Sequence, residues 1–473
     1  MSNDSRYLYI PLEIFIRELK GMLLLSLVAS QHGWKVVLGG KQSIFSVLDK
    51  LPLGVVLLKS VVPGEIKLQK EIISYGHKIV SLDAEGLLPS NGKSGVELRY
   101  SKDTIALSDI LFFWGKEQFE SVERVFPGIK NNSCITGSPI FDYWKYLKNS
   151  HNNPVNQDQR VILIATSFPF ANHIVGNEMA YLSVKNASGP DATHEHLDEI
   201  FLDAKAQEIV YPKFKELVKE VIKRNPTSKV LIRPHPSEGR FVWEEIANKY
   251  SNAEIQVGGE ISKQILLCDV FLHFNSTTSI EASYLGKKVI TYLPKMEPYL
   301  QNRMNKHALD ASYVCNSFDE VFLAIDNHSE KIKPPSGNLH NIIHGFDSKE
   351  ISHCSLLIVE ALNKLDISLS QSRLPSKFEL SLAPNSIKLR LRKRIIWIIG
   401  WIDYLTRIFR GKYKHARSYY KYGKSKQGEL NMSEIQGELL NIATSLKIDF
   451  SDYSFKIISK NLFSISLKAI KNK

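Results

Sequence analysis

Two runs of alternating strand-like and helix-like segments, one after the other, constrain this chain more than any other feature. The first run reads YLYIPL, a helix through RELKGMLLLSLVASQHG ending at Gly33, WKVVLG, a helix from Gln42, GVVLLK, a helix from Glu65, HKIVSLD, DILFFWG, a helix from Glu117, and SCITGSP. Short apolar runs rich in β-branched and aromatic residues, each followed by helical periodicity, are βα units. Such units wind into a parallel sheet with helices on both faces. The second run reads RVILIATSF, a helix over 200–223, KVLIRPHP, a helix from Trp243, AEIQVGG, CDVFLHFN, a helix from Ser279, and KKVITYLP. Between the runs, residues 149–160 (NSHNNPVNQDQR) have the composition of a linker. Residues 172–200 have mixed composition and read as a long loop.

The expected fold is α/β, with two Rossmann-like doubly wound domains facing a cleft, residues 1–150 and 151–345. A helical connection over 346–387 and a basic segment over 388–473 follow. This pairing of halves resembles the GT-B architecture of many glycosyltransferases, and the cleft is the default place for a site. Length allows it, since 473 residues are enough for two or three domains with full cores. The 43% hydrophobic and 23% charged composition is that of a globular chain. Cys134, Cys268, Cys315 and Cys354 are scattered, with no CxxC pair, which argues against a disulfide framework and fits a reducing cytoplasm. The start, MSNDSRYLYIPLEIF, lacks the basic and apolar regions of a signal peptide. No apolar run reaches the roughly 18 residues of a membrane span.

The net charge of +12 has one source: Lys388 to Lys426 holds 13 Lys/Arg and one acid, Asp403. A nucleic-acid binder carries its positive charge around a folded site, so no nucleic-acid partner is expected. Within this segment RIIWIIGWIDYLTRIFR places Gly400, Asp403, Arg407 and Arg410 on one helical stripe and Ile and Trp over the rest. A basic helix of that kind suits the plane of an anionic membrane. The expectation is a cytoplasmic protein held peripherally on the inner face of a bacterial membrane through 388–426. The structural alternative is a helix packed on the protein's own core with a solvated basic rim.

Two strand ends in the second run have anion chemistry. KVLIRPHPSE stops a buried strand at Pro234, which lacks an N–H and forces Arg233 into extended backbone. Arg233 and His235 are therefore fixed at the strand end, where open α/β sheets bind ligands. In CDVFLHFNSTTSIEASYLGKKVITYLP, residues Asn275, Ser276, Thr277 and Thr278 fall at a strand-to-helix turn. Backbone N–H groups and hydroxyls there suit a phosphate. The plainer alternative is a capping box, Thr278 with Glu281, which needs no ligand. No DxD and no His/Cys/Asp ligand cluster occurs, which favours a metal-independent site with no cofactor, in which Arg, His and helix N-termini replace the cation.

The His-Pro pair followed by a Ser/Thr-rich helix start resembles the CMP-binding elements of bacterial sialyltransferases and capsule β-Kdo transferases. PLEIFIREL, SLDAEG, TGSPIFD, ATSFPFANH and NSTTSIEASYLGK resemble, in order and spacing, the bacterial surface carbohydrate biosynthesis family. That family is similar to retaining Kdo transferases with a GT-B fold. The resemblance covers roughly residues 7–300 and departs from the pattern in places. Where Asn-Pro-Arg is the family's expectation this chain has GSPIFD, and Ala84 stands where a third acid is common.

The resemblance implies transfer, with retention, of a CMP-activated sugar, Kdo or a related ulosonic acid, onto a lipid-linked or oligosaccharide acceptor of a surface polysaccharide or glycolipid. It also implies a carboxylate nucleophile in TGSPIFD, for which Asp142 is the candidate. Asp83 and Glu85 end a strand, and in extended backbone they would share a face, with Glu85 the candidate acid/base. Asp142 as a helix cap and Asp83 as the holder of its own loop are the structural alternatives. His173, Asn172, Arg17, Glu18 and the GGK at 39–41 are weaker candidates. Rival readings are a CDP-glycerol-type glycerophosphotransferase, another nucleotide-sugar transferase, or an epimerase on the same fold. A membrane- or nucleic-acid-binding non-enzyme is the rival of a different class.

Overall fold

The computed structural model describes residues 5–86, 92–150, 159–174, 194–326, 339–367, 431–459 and 461–468, with short stretches at 176–177, 180–181, 335, 374–376, 379–380, 387–388, 391 and 394. The first run forms β1 (Arg6–Leu12), β2 (Trp34–Gly40), β3 (Val55–Leu58), β4 (Lys78–Leu82), β5 (Ile110–Phe113) and β6 (Ser133–Ile135). They lie in the order β2-β1-β3-β4-β5-β6, all parallel. The second forms β7 (Val161–Ala165), β8 (Lys229–Arg233), β9 (Ala253–Ile255), β10 (Val270–His273), β11 (Lys288–Tyr292) and β12 (Tyr313–Cys315). Their order is β12-β11-β10-β7-β8-β9, again all parallel. This is the expected pair of doubly wound sheets. The chain reverses its direction across each sheet once, between β1 and β3 and between β7 and β10. Outside the carboxyl ends at such a switch point is the crevice where open α/β sheets bind ligands.

The helices used below are α1 (Phe15–Gln31), α2 (Gly92–Arg99), α3 (Pro139–Ser150), α4 (His194–Arg224), α5 (Thr278–Tyr284), α6 (His353–Asn363) and α7 (Met432–Ser445). Because α4 starts at His194, the loop expected to run to residue 200 ends earlier. Helix α3 approaches α1 so closely that a Cβ on Gly21 would stand 2.7 Å from the Ile140 nitrogen. On its other side, the Trp144 ring meets the Tyr284 ring of α5 at 5.6 Å, and Lys148 Nζ donates to the Tyr284 carbonyl at 3.3 Å. One apolar core therefore runs from Leu24 and Phe141 in the first half to Leu163 and Phe271 in the second.

The last part of the chain belongs to the first half and is not an appendage of the basic segment. Strands β13 (Tyr453–Ser459) and β14 (Leu462–Leu467) form an antiparallel hairpin, and β14 pairs antiparallel with β2, so the first sheet has eight strands. Phe463 and Ile465 are fully buried in the first core. The hairpin covers the β2 edge, which would otherwise offer a row of unpaired backbone groups. Its tip explains the double glycine of GGK: a Cβ on Gly39 would lie 2.2 Å from the Asn461 carbonyl oxygen, and the Gly40 N–H donates to that same oxygen at 3.0 Å. The amphipathic stretch 395–410 and the basic residues up to 426 lie outside the described residues. No described helix is long and apolar enough to cross a membrane.

Two outcomes follow for the C-terminal hairpin. Phe463→Ala, which empties a fully buried aromatic site, should lower the unfolding free energy by about 3–5 kcal/mol in chemical denaturation. Truncation at 388 removes β13, β14 and α7 together, and should yield aggregated protein in size-exclusion chromatography rather than a monodisperse pair of halves.

Candidate functional site

At the β1/β3 switch point the chain opens a cavity of about 250 Å³, lined among others by Glu13, Arg17, Lys41, Lys59, Glu85 and Arg99. The register of the sheet builds it. The first residue beyond each of β1, β2, β3 and β4 is charged: Glu13, Lys41, Lys59 and Asp83. Lys59 binds Glu13 at 2.8 Å, and Lys41 reaches Glu65 at 2.7 Å and Glu13 at 3.6 Å. Across the cavity Arg17 Nη1 donates to Glu85 Oε1 at 2.9 Å, and Arg99 Nη1 to Glu85 Oε2 at 2.7 Å. Burial pushes the Glu85 carboxyl upward, but Arg99 and then Arg17 outweigh it and hold the pKa below the usual carboxylate range. Burial likewise opposes ionisation of Glu13, and Lys59 and Lys41 override it. Glu18 differs: its carboxylate accepts the Glu13 N–H at 2.8 Å, yet burial raises its pKa.

Of the three carboxylates singled out in the sequence, only Glu85 opens on this cavity. Asp83 and Glu85 do not share a face. The backbone turns at Ala84, the Glu85 N–H donates to Asp83 Oδ1 at 2.9 Å, and Asp83 is buried. Asp83 accepts Arg99 Nε on Oδ2 at 2.9 Å and Arg99 Nη2 on Oδ1, so it holds its own loop and aims Arg99. Glu85 is an ionised carboxylate between two guanidiniums, which suits a base and not a resting acid. Asp142 does not reach the cleft either. It is fully buried; Oδ1 accepts the Cys354 N–H at 3.0 Å, and Oδ2 accepts the Ser355 N–H and hydroxyl, both at 2.7 Å. Desolvation raises its pKa to about 6. A nucleophile must meet the anomeric carbon, and this carboxylate meets only the first turn of α6. Asp142 is a cap, of a helix more than 200 residues away in sequence and not of its own.

In the second half the predicted residues gather at the carboxyl ends of β8 and β10, on either side of β7. The Arg233 guanidinium is turned onto the Gly258 and Gly259 carbonyls, at 2.7 and 2.9 Å, and onto Gln264 at 2.6 Å. It braces the β9 loop and is not aimed at the cleft. His235 Nδ1 accepts the Ser237 N–H at 3.2 Å, which places its proton on Nε2. Asn275 takes a left-handed backbone, φ 48°, and its Oδ1 accepts the Asn305 N–H at 2.7 Å. The Ser276 N–H donates to Nδ1 of buried His273 at 3.2 Å, whose pKa desolvation pushes down to about 3. Thr277 is exposed at the helix start, and the Thr278 N–H faces Ser276 Oγ at 3.4 Å. The Thr278–Glu281 capping box does not form. Glu281 is buried and accepts the Ser262 hydroxyl, with its pKa raised to about 7 by burial. Asn172 and His173 dock against the loop after β8: Asn172 Nδ2 donates to the Gly239 carbonyl at 2.9 Å, and His173 bridges Glu238.

The residue that organises this end went unnoticed in the sequence. Glu238, the acid of RPHPSE, is buried and accepts Thr166 Oγ1 at 2.7 Å, the Phe168 N–H at 2.9 Å and Trp243 Nε1 at 3.0 Å. It ties the β7 loop to the β8 loop, beside the switch point between β7 and β10. On the far side Glu117, just past β5, stands 3.9 Å from both Lys306 and His307, which follow β11. The segments that follow β5 and β11 come into contact there. Among the described residues, no group of three or more His, Cys, Asp and Glu is placed to hold a metal ion.

No protein-family model matches the sequence, and no curated protein matches it. Solved structures do. The UDP-GlcNAc 2-epimerase from Neisseria meningitidis, bound to UDP-GlcNAc, aligns with 14% identity and a TM-score of 0.46 over 76% of this chain and 100% of its own. The S. aureus MnaA–UDP structure aligns with 13% identity and a TM-score of 0.46 over 77% and 98%. The wall teichoic acid polymerase TagF aligns with 11% identity and a TM-score of 0.38 over 66% and 71%. The fold assignment rests on the two sheets themselves, and no substrate is read across from these structures.

Asp142→Ala should act on stability before chemistry. It orphans two buried backbone N–H groups and a hydroxyl, and a loss of about 3 kcal/mol or more is expected in denaturant unfolding. Glu85→Gln, at a half-exposed carboxylate, should change the midpoint little.

Proposed function

We propose that this chain is a GT-B-type enzyme acting on a nucleotide-activated sugar, with the nucleotide at the carboxyl ends of β7, β8 and β10 and the sugar and its acceptor at the charged cavity beyond β1–β4. The feature that supports this reading is a polar carboxyl end on each sheet, one at β7, β8 and β10 with N–H and hydroxyl donors, the other beyond β1–β4 with Arg and Lys. The donor we favour is CMP-activated and acidic, Kdo or a related ulosonic acid. Its carboxylate would find four cations in the cavity, and its phosphate the His235 Nε2–H and the Asn275–Thr278 turn. Transfer onto a surface polysaccharide or glycolipid, with retention, is the reaction proposed. Arg233 and Glu281 serve this site from beneath, by fixing the β9 loop and the α5 turn.

In this reading Glu85 is the proton-transfer carboxylate. With Asp142 committed to α6, the nucleophile of a retaining reaction has no occupant at TGSPIFD, and Glu13, half-exposed at the cavity wall, is the carboxylate with access. Arg17, Lys41, Lys59 and Arg99 supply the charge stabilisation that bond cleavage at the anomeric carbon needs.

Calorimetry with CMP, CDP, UDP and GDP tests the donor class directly. CMP should bind most tightly, and His235→Ala should weaken it about tenfold while Glu85→Gln leaves it unchanged. Tight UDP binding with none for CMP would move the assignment to the UDP-sugar enzymes, and preference for CDP to a polyol-phosphate transferase. Binding of none would remove the nucleotide from the account.

A further inference from the structure

The cavity beyond β1–β4 differs from an ordinary surface ion network in which of its partners are fixed. Arg99 is anchored by buried Asp83 through both oxygens, and its side chain is 22% exposed. Lys41 and Lys59 are 27% and 24% exposed. Two of the carboxylates that face them are more exposed, Glu85 at 51% and Glu13 at 46%, while Glu65, the 2.7 Å partner of Lys41, is held in the wall at 17%. Arg17, the most open of the cations at 40%, stands 3.9 Å from buried Glu18. So Arg99, Lys41 and Lys59 are built into the walls, and Glu85 and Glu13 are the carboxylates most open to solvent. Two guanidiniums from different helices, α1 and α2, also converge on a single carboxylate, one on each of its oxygens. Two guanidinium donors, one for each oxygen, suit a carboxylate or phosphate.

From this we propose that the cavity is an anion subsite in which Glu85 is a built-in placeholder, to be displaced from between Arg17 and Arg99 by the carboxylate or phosphate of a sugar-sized ligand. The space suits such a ligand, because about 250 Å³ is on the order of eight water volumes at ~30 Å³ each. Displacement has a chemical consequence. The groups that set the charge of Glu85 are Arg99 from α2, Arg17 from α1 and Lys59 beyond β3, with Asp83 on its own loop. Once the two guanidiniums hold the ligand's anion, Glu85 loses the contacts that depress its pKa, and its carboxyl moves back toward the ordinary range. Arrival of the anionic substrate would thus turn a silenced carboxylate into a usable proton-transfer group. That last step rests on the proposed function; anion binding does not.

The test is calorimetry at low ionic strength with glucose 1-phosphate and with galacturonate, using glucose and galactose as neutral controls. Removing the placeholder charge in Glu85→Gln should tighten binding of at least one anionic sugar about tenfold over wild type, and Arg17→Gln should weaken it about tenfold. The neutral sugars should give no heat. Preference between the two anions tells whether the subsite takes a phosphate or a carboxylate. Anion affinity that is unchanged or weaker in Glu85→Gln, equal affinity for the neutral sugars, or no heat from either anion in Glu85→Gln overturns the proposal. These outcomes do not depend on the nucleotide: loss of CMP binding with the sugar-anion pattern intact would sink only the donor assignment.

Discussion

The buried contact between Asp142 and the first turn of α6 fixes where the chain returns to the first half. The chain leaves the first sheet through α3, builds the second sheet, and returns through α6. Asp142 joins the departure to the return. A carboxylate taken out of water is costly unless every oxygen finds donors, and here two backbone N–H groups and a hydroxyl supply them. Those same N–H groups belong to the unpaired first turn of a helix, where negative charge is favoured. Lys145, beside Asp142, donates to the Gly345 and Glu350 carbonyls and closes the loop that leads into α6.

Helix α3 is accordingly the fulcrum between the two candidate half-sites. One side locks against α1, whose N-terminus carries Arg17 into the cavity. The other locks against α5, which begins at the Asn275–Thr278 turn. A further set of charges braces the same junction: Lys20 of α1 reaches Glu438 of α7 at 2.7 Å, Lys263 of the second half lies 3.7 Å from Glu438, and Tyr143 of α3 donates to Glu438 at 3.1 Å. The C-terminal region thus contributes twice, as an edge cover on β2 and as a brace between the halves.

Much of the fold was legible because strand and helix periods are local properties. Eleven of the twelve parallel strands follow apolar runs readable in the chain, and the missing one, β12, is only three residues long. The hairpin β13–β14 was hidden by distance. Its partner β2 lies more than 400 residues earlier, and only the tertiary fold shows that Gly39 is small because Asn461 sits on it. The site was legible in part. Glu85, His235 and the Asn275–Thr278 turn are readable as candidates because they follow strand ends. Asp142 was misjudged because the helix that it caps is distant in sequence. Arg233 stands at the end of β8 and Glu281 inside α5, and their side chains are spent inside the protein on the Gly258–Gly259 turn and on Ser262. Glu13, Lys41 and Lys59 had a signal, a charge one residue past each strand. Arg99 had none, since nothing in GKSGVELR says that Asp83 will receive it.

The central claim is that the carboxyl ends of both sheets serve one ligand. Hydrogen–deuterium exchange with and without a CMP-activated ulosonic acid tests it most directly. The account predicts slowed exchange on both sides together, in peptides covering 166–174, 234–240 and 274–280 of the second half and 13–18, 59–62 and 84–86 of the first. Protection confined to one half, or unchanged exchange in both sets, would contradict it.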